Sequence, residues 1–202
     1  MPNWCTNSLL ITGRKKELDR LVEYVKGEQE SFCFDTILPM PTELRGTQSP
    51  ANIVTQEEYD NIAPELWAKM NDPDNPFESK PITQEMSIKY LRLYGNDNWY
   101  DWSCDNWGTK WDTNEVRFHR YNDTELVYEF DTAWCPPEGI YQELVKQFPK
   151  LEFNLEWHEE GGDSGIIHGL EDIPERETAR EMNARIEALI QKMYSKGTFK
   201  YA

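Results

Sequence analysis

The sequence predicts an α+β fold in which helices cover one face of an antiparallel sheet. Two β-α-β patterns along the chain are the first reason for this prediction. The second is the strict alternation of apolar and polar residues over 151–158, which is typical of a strand with one buried face. The third is an aromatic content of 13%, because large rings can build the core of a chain that is only 38% hydrophobic.

The first β-α-β pattern opens the chain. A short apolar run at 8–12 predicts a strand, and apolar residues at helical spacing predict a helix over 15–26. The apolar run at 31–38 predicts the second strand. Pro39 ends this strand, because proline cannot continue a central ladder of hydrogen bonds.

Residues 42–97 interrupt the pattern and predict a helical insertion. The sequence Thr55-Gln56-Glu57-Glu58 is a capping box, and it predicts a helix that continues over 59–70. Prolines, asparagines and aspartates predict a loop over 71–81. A second helix of the insertion is predicted over 82–94, where a glycine follows the last apolar residue.

The second β-α-β pattern follows a stretch, 99–112, that holds four of the eight tryptophans. Because indoles bury large areas, we expect this stretch to lie across the core. A strand at 116–119 and a long strand at 124–134 predict a hairpin. A helix then begins at the proline pair 136–137, which suits a first helical turn, and a strand at 151–157 completes the pattern.

Two elements remain after the second pattern. A glycine-rich turn at 161–165 predicts a hairpin that returns into a strand at 166–170. Residues 172–195 predict a C-terminal amphipathic helix, whose apolar stripe serves for packing or for a homodimer. Taken in order, the elements form the split β-α-β arrangement of a ferredoxin-like fold, as a single domain over 1–202 with the insertion at 42–97.

The net charge of −16 comes from 37 acidic and 21 basic residues. A surface with this charge repels phosphate backbones, so the sequence disfavours direct nucleic-acid binding. Such binding would also need exposed aromatic side chains on the strands, on which bases could stack. The candidates are Phe118, Tyr128, Phe130 and Phe153. The acidity serves solubility, attracts a basic partner protein, or imitates nucleic acid. The densest acidic region is the candidate partner-binding surface. Its residues are Glu156, Glu159, Glu160, Asp163, Glu171 and Asp172.

The sequence favours a non-enzymatic role and predicts no catalytic residue. Cys104 lies between Ser103 and Asp105, but nothing places a histidine beside it to act as a base. The four cysteines form no close pair, so neither a metal site nor a cofactor is expected. An alternative site is a ring-lined pocket for a small ligand or a reaction. Its residues are Asn3, Trp4, Cys104, Asn106, Trp107, Lys110 and Trp111.

The sequence predicts a cytoplasmic protein that has no contact with a membrane. No stretch approaches the roughly 20 apolar residues that a membrane-spanning helix needs. The first seven residues also lack the basic and apolar regions of a signal peptide.

Three segments together carry a resemblance to a known family. They are the N-terminal motif Met1-Pro2-Asn3-Trp4-Cys5-Thr6-Asn7, the tryptophan motif Asn106-Trp107-Gly108-Thr109-Lys110-Trp111-Asp112, and the proline motif Phe130-Asp131-Thr132-Ala133-Trp134-Cys135-Pro136-Pro137. With Phe34-Asp35 and Pro39-Met40-Pro41, they resemble the YubB-type ferredoxin-like family of phages, prophages and conjugative plasmids. The resemblance covers most of 1–170.

The resemblance implies a ferredoxin-like domain and an origin on a mobile genetic element. It supplies no activity, cofactor or catalytic residue. Small acidic proteins of such elements often bind and disable host machinery. We therefore expect an accessory protein whose acidic surface binds a bacterial host protein, as an inhibitor of host defence or a mimic of nucleic acid.

Overall fold

A computed structural model of the chain forms two compact units. It describes residues 3–62, 64–70, 80–174 and 177–195. Unit 1 comprises Met1–Pro39 and Ser103–Pro174, and unit 2 comprises Met40–Trp102 and Glu175–Ala202. The predicted insertion, 42–97, therefore lies entirely in unit 2. None of the helices in these described ranges is long and apolar enough to cross a membrane.

The helices and strands alternate irregularly along the chain. In order they are β1 (Trp4–Thr12), α1 (Lys15–Tyr24), α2 (Phe34–Ile37), β2 (Ile53–Val54), α3 (Gln56–Asp60), α4 (Pro64–Met70), β3 (Ile82–Thr83), α5 (Gln84–Tyr94), α6 (Trp99–Asn106), β4 (Asn114–Asn122), β5 (Glu125–Ala133), α7 (Glu138–Gln147), β6 (Glu152–Glu159), β7 (Ser164–Ile167) and α8 (Ala179–Ser195). A 3₁₀ turn at Leu170–Asp172 follows β7 and begins at the last residue of the segment predicted as a strand, 166–170.

Unit 1 is built on a five-stranded sheet with the order β4-β5-β1-β6-β7. Every neighbouring pair of strands is antiparallel. The elements β1, α1, β4, β5, α7 and β6 follow one another as β-α-β-β-α-β, and β1 lies between β5 and β6. This arrangement is the ferredoxin-like α+β fold that the sequence predicts.

The second strand of the ferredoxin-like arrangement is β4, and the prediction of a strand at 31–38 is wrong. Part of that segment forms the short helix α2. The carboxylate of Asp112 accepts hydrogen bonds from the backbone N–H groups of Phe34 (2.7 Å) and Asp35 (3.0 Å). These are N-terminal donors that a helix leaves without an internal partner. The periodicity of a short apolar run does not distinguish a buried helix from a strand. The helical structure of this segment therefore depends on the Asp112 carboxylate, which is distant in sequence.

Three of the four strand aromatics that direct nucleic-acid binding would need lie on the buried face of the sheet, and Phe118 is 38% exposed. Tyr128 and Phe130 on β5 are buried, and both rings lie close to Phe32, at centroid distances of 4.8 and 5.1 Å. Phe153 on β6 is buried against Tyr141 of α7. Rings in this position cannot stack on nucleic-acid bases at the opposite face.

Unit 2 contains the parallel pair β2 and β3 together with helices α3, α4, α5 and α8. The predicted capping box is present, because the Thr55 hydroxyl accepts from the Glu58 backbone and the Glu58 carboxylate accepts from Thr55. The predicted helix at 82–94 begins with the strand β3, and Thr83 then caps α5. Most of the predicted loop at 71–81 lies outside the described residues.

Helix α8 packs part of its apolar stripe against α5. Ile186 and Ile190 form a buried cluster with Ile88 and Leu91 of α5. The helix begins at Ala179, later than the predicted 172, because residue 172 belongs to the 3₁₀ turn. Leu189 of the stripe stays partly exposed.

Candidate functional site

The three motifs meet at one end of the sheet in unit 1. The backbone N–H of Trp134 donates to the carbonyl of Asn3 at 2.9 Å, which joins the proline motif to the N-terminal motif. The hydroxyl of Thr109 donates to the carbonyl of Ala133 at 2.8 Å, which joins the tryptophan motif to the proline motif. Three separate segments of the chain thus form one local structure.

This local structure presents three indoles and one ammonium group, which we name the tryptophan cluster: Trp4, Trp111, Trp134 and Lys110. The rings of Trp4 and Trp111 lie 6.3 Å apart. The Lys110 ammonium lies 4.3 Å from the centroid of Trp111 and 5.3 Å from that of Trp134, in cation–π geometry. Trp111 is 38% exposed and Trp134 is 41% exposed. Grouped, solvent-exposed indoles are characteristic of interaction surfaces.

Trp134 is the member of the cluster that the sequence reasoning missed. Alternation along β5 places its side chain with the buried residues Leu126, Tyr128 and Phe130, but β5 ends at Ala133. Trp134 has φ +72°, in the left-handed region. A bulky residue there carries strain of about 1–3 kcal/mol, and such strain is concentrated at functional positions. The proline pair Pro136-Pro137, which follows Cys135, was the available signal that the strand could not continue.

Next to the tryptophan cluster lie four acids of the β6–β7 hairpin, which we name the acidic hairpin: Glu156, Glu159, Glu160 and Asp163. The backbone N–H of Trp4 donates to Oε2 of Glu160 at 3.0 Å, and the Glu160 N–H donates to the Trp4 carbonyl at 3.0 Å. Glu156 is exposed and lies opposite Ser8, on the same face of the sheet as Trp4. The cluster and the hairpin are therefore contiguous.

The acidic hairpin carries uncompensated negative charge. None of its four carboxylates forms an ion pair with a described lysine, arginine or histidine. Glu159 and Glu160 accept hydrogen bonds from backbone groups, whereas Glu156 and Asp163 have no hydrogen bond from their side chains to any described residue. Unpaired carboxylates on one surface produce a potential that attracts cationic groups.

The other two predicted partner-binding acids lie on the 3₁₀ turn after β7. Asp172 accepts from the backbone N–H groups of His168 (2.7 Å) and Gly169 (3.3 Å), so its carboxylate holds the turn together. Glu171 is exposed beside it. No hydrogen bond or ion pair among the described residues connects these two acids to the acidic hairpin.

The predicted ring-lined pocket is divided between surface and core. Trp4, Lys110 and Trp111 belong to the tryptophan cluster, whereas Trp107 is buried and its indole N–H donates to the carbonyl of Leu38 at 2.8 Å. The carbonyl of Trp107 accepts from the backbone N–H of Gly139 at 3.1 Å, near the start of α7. Trp107 therefore has a structural role.

The other members of that predicted pocket do not gather around Trp107. Cys104 and Asn106 lie half-buried on α6, and Asn3 is exposed, with its carbonyl bonded to the proline motif. Of the remaining indoles in the stretch 99–112, Trp102 is buried. The stretch thus contributes to the core, as predicted, but it also contributes Trp111 to the surface.

Three thiols, one buried and two half-buried, have a raised pKa and are protonated at neutral pH. Burial raises the pKa of Cys5 to about 12 and that of Cys135 to about 11, and it also raises the pKa of Cys33. A thiol needs a lowered pKa to act as a nucleophile. Within the described ranges no three histidine, cysteine or acidic side chains are grouped to hold a metal ion.

Comparison with known proteins gives a family match for the second half of the chain. Residues 106–193 match a family model described as the ferredoxin-like domain in Api92-like protein. The match spans just under half of the chain and includes β4 to β7 and α7. The match supports a ferredoxin-like family. It does not support the YubB-type assignment or an origin on a phage or plasmid.

A solved structure and the curated proteins add little to this match. The crystal structure of the protein api92 from Yersinia pseudotuberculosis is similar to the chain at 16% sequence identity and a TM-score of 0.45. The alignment covers 82% of this chain and 93% of that chain. The comparison with curated proteins gives no match.

Proposed function

We propose that this chain is a non-enzymatic binding protein whose tryptophan cluster and acidic hairpin engage a basic surface of a bacterial host protein. The exposure of Trp111 and Trp134 beside four carboxylates without ion pairs supports this proposal. Tryptophan is enriched among the residues that dominate binding energies. Unpaired charges around such anchors steer a complementary partner and set the orientation of the complex.

The partner in this proposal presents arginine or lysine side chains. The Lys110 ammonium lies 4.3 Å from the Trp111 ring centroid, so this indole face accommodates a cation, and an arginine or lysine of the partner displaces Lys110 from it. The hairpin carboxylates then take the place of nucleic-acid phosphates. The partner class is accordingly a nucleic-acid-binding host protein, which includes factors of host defence.

The proposal includes an accessory role on a phage, prophage or plasmid. This part depends on the resemblance of the three motifs to the YubB-type family. The same motifs build the tryptophan cluster, so one surface accounts for both the resemblance and the binding role. Glu171 and Asp172, on the 3₁₀ turn after β7, stay in this proposal as further partner-binding residues.

The alternative role, a small-ligand or reaction pocket around Cys104, Asn106 and Trp107, has less support. The indole N–H of Trp107 is already bonded to a backbone carbonyl inside unit 1, so it is not free to bind a ligand. We retain this alternative as an outcome of the experiment below.

The test is an affinity pull-down of the tagged chain from nuclease-treated bacterial lysate, followed by a binding titration with the purified partner. We expect one stoichiometric protein that is released at high salt. Trp134→Ala should raise the dissociation constant by about 30-fold or more, as for other interface anchors. The matched control is Tyr121→Ala, which removes another exposed ring of unit 1 and should leave the affinity unchanged.

The charge contribution is tested with Glu156→Gln combined with Asp163→Asn. These two side chains have no hydrogen bond to a described residue, so the hairpin should stay folded. Glu28→Gln combined with Glu30→Gln removes the same charge from another exposed loop. Equal retention of the partner by both pairs would contradict the proposal. Capture that occurs only in a parallel lysate without nuclease would indicate direct nucleic-acid binding, and the absence of any reproducible partner would favour the pocket.

A further inference from the structure

Unit 2 contains a cavity of about 330 Å³ that the proposed function does not use. Its walls come from α5, α6 and α8, the loop between α5 and α6, and β2. Cavities that hold small molecules begin at about this volume and combine apolar walls with a few placed polar groups. The walls of this cavity have that composition.

One wall of the cavity is acidic. Asp97 and Asp101 line it, and the amide of Asn98 donates to both carboxylates, at 3.1 and 2.7 Å. The side-chain oxygen of Asn98 accepts from the backbone N–H of Asp101 at 2.9 Å, which fixes this group at the start of α6. The hydroxyl of Ser87 also donates to Asp97. Each carboxylate is held in one orientation and keeps further acceptor capacity.

The helix α8 supplies the opposite charge. Arg185 and Lys192 line the cavity from this helix. Arg185 is paired with Glu177 at 3.0 Å. The Lys192 ammonium forms no ion pair with any described carboxylate, so its charge stays available to a bound anion.

An amide donor without a partner also lies in the wall. Nε2 of Gln84 is buried and has no hydrogen-bond partner among the described residues. Buried donors of this kind are uncommon in folded proteins and call for an acceptor. The apolar part of the wall consists of Ile53, Leu91, Leu189 and Met193.

From this combination we infer that the cavity binds a small zwitterion with an apolar side chain, in the class of free amino acids. The ligand ammonium group pairs with Asp97 and Asp101. The ligand carboxylate accepts from Lys192 and Gln84. The apolar side chain packs against the leucines and the methionine of α5 and α8. A ligand with one charge leaves the lining groups that would bind the other charge without a partner, so it binds more weakly.

The test is calorimetric titration of the full chain with L-leucine and L-methionine. Two analogues lack one end of leucine: 4-methylpentanoate has no ammonium group, and 3-methylbutylamine has no carboxylate. We expect saturable binding of at least one amino acid, and dissociation constants for the two analogues that are about tenfold higher or more. Binding of an analogue as tight as that of the amino acid would overturn the zwitterion assignment.

Variants connect the binding to this cavity. Lys192→Met and Gln84→Met should each raise the dissociation constant about tenfold, while far-ultraviolet circular dichroism without ligand shows that the fold is intact. Lys146→Met is the matched control, since this exposed lysine lies on α7 in unit 1. Unchanged affinity in the first two variants would overturn the inference. It would also be overturned if none of the twenty standard amino acids binds at about 1 mM, the millimolar range of weak ligands.

Discussion

Replacing Tyr128 with phenylalanine should stabilise the protein, which is unusual for a substitution in the middle of a core. Its ring is fully buried between Phe32 and Phe118, at centroid distances of 4.8 and 4.9 Å. Its hydroxyl is buried without a hydrogen-bond partner among the described residues, and burial raises the pKa of this phenol. A buried hydroxyl without a partner costs about 1–3 kcal/mol, so Tyr128→Phe should raise the free energy of unfolding by about 1–2 kcal/mol.

Tyr141 provides a control with the same chemistry and the opposite sign. It is buried on α7, and its hydroxyl donates to the carbonyl of Phe153 at 2.9 Å. Tyr141→Phe removes that bond and leaves the carbonyl without this donor. It should lower the free energy of unfolding by about 0.5–1.5 kcal/mol, the usual net contribution of one such bond.

The assay is urea unfolding followed by tryptophan fluorescence and by circular dichroism, with coincident transitions as the check on two-state behaviour. For a chain of this length, each kcal/mol corresponds to about 2–4 °C in the midpoint of thermal unfolding. A loss of about 1 kcal/mol or more in Tyr128→Phe would refute the reasoning, because it would show that the hydroxyl has a partner such as a buried water.

Three further predictions follow from single contacts. Gly108 has φ +90°, and a Cβ there would lie 2.8 Å from a backbone nitrogen at the start of α7, so Gly108→Ala should cost about 2–4 kcal/mol. Gly162→Ala (φ +108°, no atom within 4 Å) should cost only about 1–2 kcal/mol in the same unfolding assay. Burial raises the pKa of Cys5 from 9.0 to about 12 and that of Cys135 from 9.0 to about 11, so the folded state holds these protons more tightly than the unfolded state. The contribution of these two thiols to the free energy of unfolding is complete below pH 9 and is lost as the pH rises towards 11 and 12. Denaturant unfolding at pH 8 and at pH 10.5 should therefore show a lower free energy of unfolding at the higher pH. The difference between the two pH values should be smaller when both cysteines are replaced by alanine. Asp112→Ala leaves three backbone N–H groups without their carboxylate and should cost about 2–4 kcal/mol by denaturant titration, whereas Asp112→Asn, which keeps one acceptor oxygen, should cost clearly less.

The sequence predicts those elements whose pattern is long and local. The alternation over 151–158 corresponds to β6, and the apolar residues that follow the proline pair correspond to α7. The Thr55 capping box begins α3 as expected, but the helix predicted to continue to residue 70 ends at Asp60, and a separate helix, α4, begins at Pro64. In each case the residues that determine the structure lie within a few positions of one another, so their spacing is sufficient. The elements α7 and β6 belong to the second β-α-β half of the ferredoxin-like fold, whereas the first half was predicted with a strand at 31–38 where the structure has α2.

The sequence by itself therefore determined the fold class, the acidity and the presence of several indoles near the motifs. The tertiary structure determined which individual side chains are buried and which are exposed, because the groups that they contact are far away in sequence. The 31–38 segment contains a helix because the Asp112 carboxylate accepts its N-terminal donors. Trp134 is exposed because its backbone turns into the left-handed region, where its N–H meets the carbonyl of Asn3. Trp107 is buried because its indole reaches the carbonyl of Leu38. A local sequence pattern does not predict hydrogen bonds between residues that are so far apart. The tryptophan cluster depends on such hydrogen bonds, so only the tertiary structure reveals it.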